Sequence, residues 1–458
     1  MASPPTNHSS TTVPHRITTL DDLPQNILLR IISFLPTLES IQTTLISPAF
    51  LNLWTSLPSL SFDFSLFLPP ADTPSLTLQA FSDFVTRALL LRHPPSSSLR
   101  SLHLRLDSST NHRPYRRHID SWIQYAVAHN VESLFLTFSS KYLRQFQNET
   151  ETDSYHYPFP FCLLRNGSVR SLQLKGCNLD IPTNTSRFES LTCVVFEQCH
   201  GMKDLKIFSE RLKSLELWQF SCDEGSVEIC APNLSYLMMF FFEVGRYVME
   251  DSSAVAEADV TCISKVENYP YWSKIVRLLS HVKRFHVQNW WYKAVVSEDC
   301  LPKSFVFHNL NHLRLATEYT KADLLGIAVL FELSPKLETM ILDRDVRISE
   351  EIFGGSISEE FERINFKLPS LRQLKLNCYW GSMEELHFLS LVLRSEVVLE
   401  RIVLRPVRLD RNRVIPIVLV KQSHGYHVVQ GSFPGCGLHV YQGMDVYKGT
   451  EISCLCWK

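Results

Sequence analysis

The segment VRSLQLKGCNL, Val169–Leu179, carries the spacing of apolar residues that decides the fold. Apolar side chains stand at its first, fourth, sixth, ninth and eleventh positions, and polar residues or glycine fill the others. Because strand side chains alternate between two faces, Leu172 and Leu174 predict a strand with one buried face. The thiol of Cys177 is placed to hydrogen-bond the backbone of a neighbouring loop.

The apolar-x-x-apolar-x-apolar part of this segment recurs along the chain. The first residues of the units are Leu99, Val131, Val169, Phe188, Leu212, Leu234, Val255, Val282, Leu310, Leu337, Leu371 and Leu399. They lie about 27 residues apart on average, which fits the roughly 20–29 residues of a leucine-rich repeat, whose template Val169–Leu179 matches at every position. Since each unit leaves one face for a neighbour to bury, the repeat predicts an α/β solenoid, with parallel strands on the concave side and helices or turns on the convex side.

Three amphipathic segments have the spacing of helices. Leu76–Leu91 carries apolar residues at helical spacing, and Ile119–Ala128 and Leu386–Leu393 precede the repeat strands that start near Val131 and Leu399. All three segments predict helices, and the latter two are expected to pack on the outer side of the solenoid.

A different pattern occupies Leu20–Trp54, LDDLPQNILLRIISFLPTLESIQTTLISPAFLNLW. Pro24 at the first helical position and Pro36 beyond the last delimit a predicted helix over residues 25–35, apolar except for Gln25 and a narrow polar stripe. We expect Thr37 to cap a second helix through Leu45, and a third short turn to end at Trp54. Such a small three-helix core cannot stand alone, so its exposed apolar side chains predict a docking face for a partner helix.

The residues Leu23-Pro24, Ile32–Thr37 and Ser47–Trp54 resemble an F-box. An F-box followed by a segment such as Ser121–Leu136 is similar to the plant F-box/leucine-rich-repeat family, and the resemblance covers about Arg16 to Arg408. Many members end in a domain that begins like residues 386–404, so the C-terminus resembles a divergent FBD domain.

The resemblance implies a subunit of an SCF-type (Skp-cullin-F-box) ubiquitin ligase. The F-box would bind a Skp-type adaptor, and through it a cullin, while the solenoid would bind a target protein that the sequence does not identify. The residues expected to contact the adaptor are Leu23, Pro24, Ile27, Leu28, Ile31, Leu35, Pro36, Leu45 and Trp54.

The motif departs from the plant family at one place. Where the family usually has Ser-Lys-Arg-Trp, this chain has Ser47-Pro48-Ala49-Phe50. A second interpretation therefore stays open, in which the chain is a leucine-rich scaffold for protein interaction without ligase function. The resemblance also leaves open a third interpretation, in which a small molecule bridges receptor and target as in some relatives, but no residues here identify a pocket for one.

The target-binding candidates are the residues that alternate with the buried leucines on the central repeat strands. They combine bulky apolar groups with charges, which is the composition of a protein-binding hot spot. Two alternatives stay open: a loop covers the aromatic residues, or a one-residue shift of register turns the whole set inward. The candidates are Glu216, Trp218, Met238, Phe240, His286 and Arg314.

Composition narrows the remaining classes of function. The 45 basic and 47 acidic residues nearly balance, so neither nucleic acid nor an anionic membrane is expected as the main partner. No nucleophile elbow, phosphate-binding glycine loop or metal-binding histidine pair is present, so we expect a non-catalytic chain without cofactor or metal. The polar N-terminus has no apolar core like that of a secretory signal, so we expect a cytoplasmic or nuclear protein. Its 12 cysteines, which include no C-x-x-C pair, are then expected to be reduced.

These observations divide the chain into five predicted parts. They are a disordered tail (1–15), the F-box (16–57), a linker and helix (58–98), the leucine-rich-repeat solenoid (99–408) and an irregular C-terminal extension (409–458).

Overall fold

The computed structural model divides the chain into two compact units, Met1–Glu151 and Thr152–Lys458. The predicted N-terminal tail lies outside the residues that it describes. Those residues are 23–47, 50, 53–67, 74–92, 99–106, 113–138, 156–179, 188–201, 204–220, 226–241, 246–250, 252–262, 276–287, 301–302, 304–344, 366–367, 369–379, 382–395, 399–406, 418–422, 425–429 and 451–454.

The first unit combines helices with a short parallel sheet. Its α-helices are α1 (Gln25–Ile32), α2 (Thr37–Gln42), α3 (Pro74–Leu91) and α4 (Arg116–Ala128). Short 3₁₀ turns lie at Thr43–Leu45, Trp54–Ser56, Phe64–Phe67 and Arg113–Tyr115. The strands β1 (Ser59–Asp63), β2 (Ser101–Leu106) and β3 (Ser133–Phe138) pair in parallel in that order.

The F-box helices differ from the prediction at their ends. Pro24 is the N-cap of α1 rather than its first helical residue, and α1 ends at Ile32 because residues 33–35 turn away before Pro36. Thr37 does not cap α2, since Pro36 holds the N-cap position. The Thr37 hydroxyl is buried and accepts a hydrogen bond of 2.8 Å from the backbone N–H of Ser61.

The predicted linker contains the strand β1, which adds an unpredicted repeat unit to the sheet. Leu60 and Phe62 on this strand are buried, and β1 runs parallel to β2 in register. Leu57 precedes β1 by two residues, as the first apolar residue does in the other units, and it is also buried. The helices α3 and α4 confirm the predicted segments, and Trp122 on α4 donates a hydrogen bond of 3.1 Å to the Thr86 hydroxyl of α3.

The second unit is built on a long parallel sheet. In spatial order its strands are β5 (Ser171–Lys175), β7 (Cys193–Glu197), β9 (Ser214–Phe220), β11 (Tyr236–Phe241), β13 (Glu257–Cys262), β14 (Arg284–Val287), β15 (His312–Thr317), β16 (Thr339–Arg344), β17 (Gln373–Tyr379), β18 (Arg401–Pro406) and β21 (Glu451–Cys454). Each repeat thus places one strand beside that of the repeat before it, which confirms the predicted leucine-rich architecture.

The repeat residues predicted from the sequence form the core. All twelve first residues of the units are at most 5% exposed, and eleven of them stand two residues before a strand of the sheet. Phe188 is the exception, because β7 begins at Cys193 and the equivalent residue is the fully buried Leu191. Phe188 lies three residues before Leu191 and is also buried, so the sequence offered two apolar residues for the first position of this unit.

The segments that connect the strands of the main sheet are more varied than the predicted helices and turns. The helices α5 (Lys321–Leu333) and α6 (Met383–Arg394) lie in the last repeats, and both begin with a capping box, Thr320 with Asp323 and Ser382 with Glu385. Between β7 and β13 strands take this place. They are β8 (Asp204–Phe208), β10 (Ser226–Cys230) and β12 (Arg246–Glu250), which form a second parallel sheet. The short strands β4 (Tyr157–Pro158) and β6 (Cys177–Asn178) also pair.

The cysteines at the template position hydrogen-bond the backbone, but Cys177 does so within its own repeat and not to a neighbouring loop as predicted. The buried Cys199 thiol donates to the carbonyl of Leu174 in the preceding repeat over 3.3 Å, and Cys177 donates to the carbonyl of Lys175. Burial raises the pKa of the Cys199 thiol to about 12 and that of Cys177 well above its usual value, so both stay protonated donors at neutral pH.

The C-terminal region contains regular structure that the sequence pattern did not predict. The strands β19 (Val418–Gln422) and β20 (Gly425–Val429) form an antiparallel hairpin. β21 pairs in parallel with β18 and extends the main sheet beyond the last predicted repeat.

Candidate interaction surfaces

The helix α1 divides its apolar residues between the core and solvent. Leu28 and Ile32 are buried, with exposures of 3% and 1%. Ile27, Ile31 and Phe34 are 43%, 40% and 75% exposed, and their i, i+4, i+7 spacing places them on one side of the helix and the turn after it. A stripe of large apolar residues therefore stays open to solvent beside the polar stripe.

The predicted adaptor contacts fall into two groups. Leu28 and Trp54 are buried, so they stabilise the motif from inside and present little surface to a partner. Pro24, Ile27, Ile31 and Leu45 are exposed, and Leu23, Leu35 and Pro36 are half-buried.

Sequence reasoning missed two exposed apolar residues of the motif. Phe34 continues the stripe of α1, and Ile46 is 73% exposed beside Leu45, which is 87% exposed. The helical spacing 27, 31, 34 was the available signal for Phe34. Ile27, Ile31, Phe34, Leu45 and Ile46 are called the F-box surface below.

The place where the motif departs from its family keeps an aromatic residue in the core. Phe50, which stands at the family's usual tryptophan, is 3% exposed. The neighbouring Pro48 and Ala49 lie outside the described residues. Phenylalanine in place of the usual tryptophan therefore keeps an aromatic ring buried at this position.

In the second unit the target-binding candidates lie on the side of the main sheet opposite the buried leucines, called the open face below. On β9, Leu215 and Leu217 are fully buried, whereas Glu216 is half-buried and Trp218 is 38% exposed. The predicted register of this strand is therefore confirmed. Trp218 lies next to Phe240 in register, their ring centroids are 6.2 Å apart, and the indole N–H donates to Glu216 over 2.9 Å.

Met238 does not offer the contact surface expected of it. It faces the open side in register with Glu216 and Asp259, but only 3% of it is exposed. On the central strands, Trp218 and the half-buried Phe240 thus supply the accessible apolar surface.

The central strands carry most of the carboxylates described on the open face. Glu257 pairs with Arg284 on the next strand, and Asp259 accepts from His286 Nδ1 over 2.6 Å. Tyr236 lies among these carboxylates, and burial, followed by Glu216, Asp259 and Glu257, raises the pKa of its phenol to about 12.

The last repeats carry most of the remaining cations of the open face. Arg314 on β15 pairs with Asp343 on β16, and Lys375 on β17 lies near the arginines of β18. Burial, then Arg405 and Arg401, lowers the pKa of the Lys375 ammonium below its usual value. Burial is also the first cause, ahead of Lys375 and Arg284, of the lowered pKa of His312.

Two other kinds of site are absent from the described residues. No three His, Cys, Asp or Glu side chains in that part of the chain are grouped so as to hold a metal ion. None of the described helices has the length and apolar character to cross a membrane.

Comparison with protein families agrees with this arrangement. The F-box domain family matches residues 20–62, and the family described as At1g61320/AtMIF1, LRR domain, matches residues 90–198 and 185–417. The chain belongs to the plant F-box/leucine-rich-repeat family. The F-box match ends within β1, and the leucine-rich-repeat match ends beyond β18.

Several Arabidopsis thaliana members of the F-box/leucine-rich-repeat family are similar over most of their length. F-box/FBD/LRR-repeat protein At5g56420 is 25% identical over 420 residues, which cover 84% of this chain and 91% of the relative. F-box/FBD/LRR-repeat protein At2g04230 is 26% identical over 70% of this chain and 73% of its own. F-box/LRR-repeat protein 25 is 28% identical over 48% of this chain and 84% of its own.

Proposed function

We propose that this chain is the target-recognition subunit of a Skp–cullin–F-box ubiquitin ligase and has no catalytic role of its own. The observation that carries the proposal is the F-box surface, five large apolar residues that stay exposed within a segment matched by the F-box family. Burial of a side chain of this kind in an interface contributes about 1.5–3 kcal/mol when it is complete, so a few of them suffice for a stable dock.

The proposed mechanism is proximity. The F-box binds a Skp-type adaptor, the adaptor binds a cullin, and the open face of the second unit holds the target. Tethering makes the encounter between a target lysine and the ubiquitin-charged enzyme intramolecular, which raises the effective concentration of the lysine. No proton-transfer group of this chain is required. The same role places the chain in the cytoplasm or the nucleus, which a fluorescent fusion tests.

A pull-down with a purified Skp-type adaptor tests the first step. We expect the full chain to retain the adaptor and the double variant Ile27→Ala/Ile31→Ala to lose it. Because both residues are about 40% exposed, the variant should keep the circular dichroism and melting temperature of the parent.

A leucine-rich scaffold without ligase function is the rival interpretation, raised by the departure at residues 48–50. It predicts that a folded full chain retains no adaptor under conditions in which an established F-box protein does. The buried Phe50 favours the ligase proposal, because the position still fills the core with a ring.

A further inference from the structure

Among the described residues, the charges of the open face separate along the sheet, and two cations of the last repeats, Lys375 and Arg405, have no carboxylate beside them in register. Among the described strands, β7 to β13 present the carboxylates Glu197, Glu216, Glu257 and Asp259. From β15 to β18 the same rows present Arg314, Lys375, Arg401 and Arg405, with Asp343 as the carboxylate among them.

Asp343 is already engaged on both carboxylate oxygens. Arg314 binds one oxygen, and the side-chain amide of Asn377 donates to the other over 2.7 Å. Arg314 therefore already compensates the single negative charge of this carboxylate.

Lys375 has apolar neighbours instead of an anion. In register its neighbours across the sheet are Ile341 on β16 and Val403 on β18. Its side chain is half-buried, which removes water from the ammonium stem, and the nearby charges that act on it are the guanidinium groups of Arg405 and Arg401. Such an ammonium is best stabilised by an incoming anion.

Arg405 is similarly placed one strand further. Its Nη1 donates to the amide oxygen of Asn377 over a long 3.4 Å, and its buried Nε has no hydrogen-bond partner among the described residues. Arg401 differs, because β21 places Glu451 beside it in register. Lys375 and Arg405 are therefore the cations on which an external anion would act.

The distance across the cationic residues, from Arg314 on β15 to Arg405 on β18, indicates the kind of anion that fits this cluster. Three strand spacings separate β15 from β18, about 14 Å, so no single small anion contacts Arg314 and Arg405 together. An extended polypeptide rises about 3.3 Å per residue, so four or five residues span the cluster and bring two or three carboxylates to it.

We propose that an acidic segment of the target protein lies across β15 to β18, with Glu or Asp side chains facing Lys375 and Arg405 and the rest of the segment passing Arg314, which stays paired with Asp343. The inference rests on the proposed function, because it specifies the chemistry of the target that the open face receives. Three of the four central carboxylates are paired, Glu197 with Lys175, Glu257 with Arg284 and Asp259 with His286, so the excess positive charge of β15 to β18 is what attracts the acidic part of the segment.

Fluorescence anisotropy with the full-length chain and a labelled octaglutamate peptide tests the proposal. We expect binding that weakens as salt rises, roughly tenfold or more loss for Lys375→Glu and for Arg405→Glu, and near-parent affinity for Lys375→Arg. Lys213→Glu is the matched control, because this exposed lysine undergoes the same charge change ahead of β9. An uncharged peptide of equal length should not bind.

Three results would overturn the proposal. They are no binding of the acidic peptide by the folded parent chain, equal binding by Lys375→Glu and Lys213→Glu, and displacement of the peptide by millimolar inorganic phosphate, which would assign the cluster to a small anion. Adaptor pull-down with the same variants distinguishes failure of the acidic-segment proposal from failure of the ligase proposal. Loss of peptide binding with intact adaptor binding supports both, whereas peptide binding by a chain that retains no adaptor refutes the ligase role alone.

Discussion

Replacing Leu45 with alanine should weaken adaptor binding without unfolding the chain. Leu45 follows α2 and is 87% exposed, so it makes few contacts that stabilise the first unit. If the adaptor covers this surface, the substitution removes most of the burial energy of a leucine, about 1–2.5 kcal/mol. The dissociation constant should therefore rise roughly 5- to 70-fold, since about 1.4 kcal/mol corresponds to a factor of ten.

Isothermal titration calorimetry of the full-length variants with a Skp-type adaptor measures this change. Leu90→Ala is the matched control, because Leu90 on α3 is the same residue type and 76% exposed but lies outside the F-box. We expect Leu90→Ala to bind as the parent does. Both variants should melt within a few degrees of the parent, as exposed substitutions usually do.

The reasoning would be refuted if Leu45→Ala and Leu90→Ala bound the adaptor equally well. It would also be refuted if Leu45→Ala lost binding together with its melting transition, because the residue would then belong to the core. In the first case the adaptor would contact a different part of the motif.

Three further predictions concern stability and pH. Leu28→Ala, at a site 3% exposed, should lower the free energy of unfolding by about 2–5 kcal/mol in denaturant titration, and an unchanged midpoint would contradict its place in the core. Thr320→Ala should remove the capping box of α5 and cost about 0.5–2 kcal/mol, measured by thermal melting against the exposed control Leu325→Ala. The pKa of Tyr236 is about 12 in the folded chain, against about 10 when the chain is unfolded. The free energy of unfolding should therefore fall as the pH rises through this interval, and it should fall less in Tyr236→Phe. Equal dependence of stability on pH in the two proteins would refute the raised pKa.

Much of the solenoid was predictable because its pattern is local. One strand and one buried row recur in every unit, so spacing alone located eleven strands of the repeat, and only Phe188 was placed wrongly. β1 was missed because Pro58 and the prolines after it indicated a linker, whereas a proline just before a strand interrupts no pairing within it. The strands β8, β10 and β12 were missed because short apolar alternation does not show which side of a repeat it occupies.

The candidate surfaces were predictable by residue type but not by exposure. The pattern placed Met238 and Trp54 among contact residues, yet packing buries both, because exposure depends on neighbours distant in sequence. The same limit hid the role of Thr37, whose hydroxyl partner is 24 residues away. The segregation of charge along the open face also required the register, since Lys375 and Arg405 become neighbours only through the pairing of β17 with β18.

The most direct test of the central claim is assembly of the full-length chain with a purified Skp-type adaptor and a cullin, followed by size-exclusion chromatography with light scattering. The account predicts one peak with the mass of a complex that contains one copy of each protein, and its loss with Ile27→Ala/Ile31→Ala. Elution of the adaptor–cullin pair without the folded chain would contradict the ligase role.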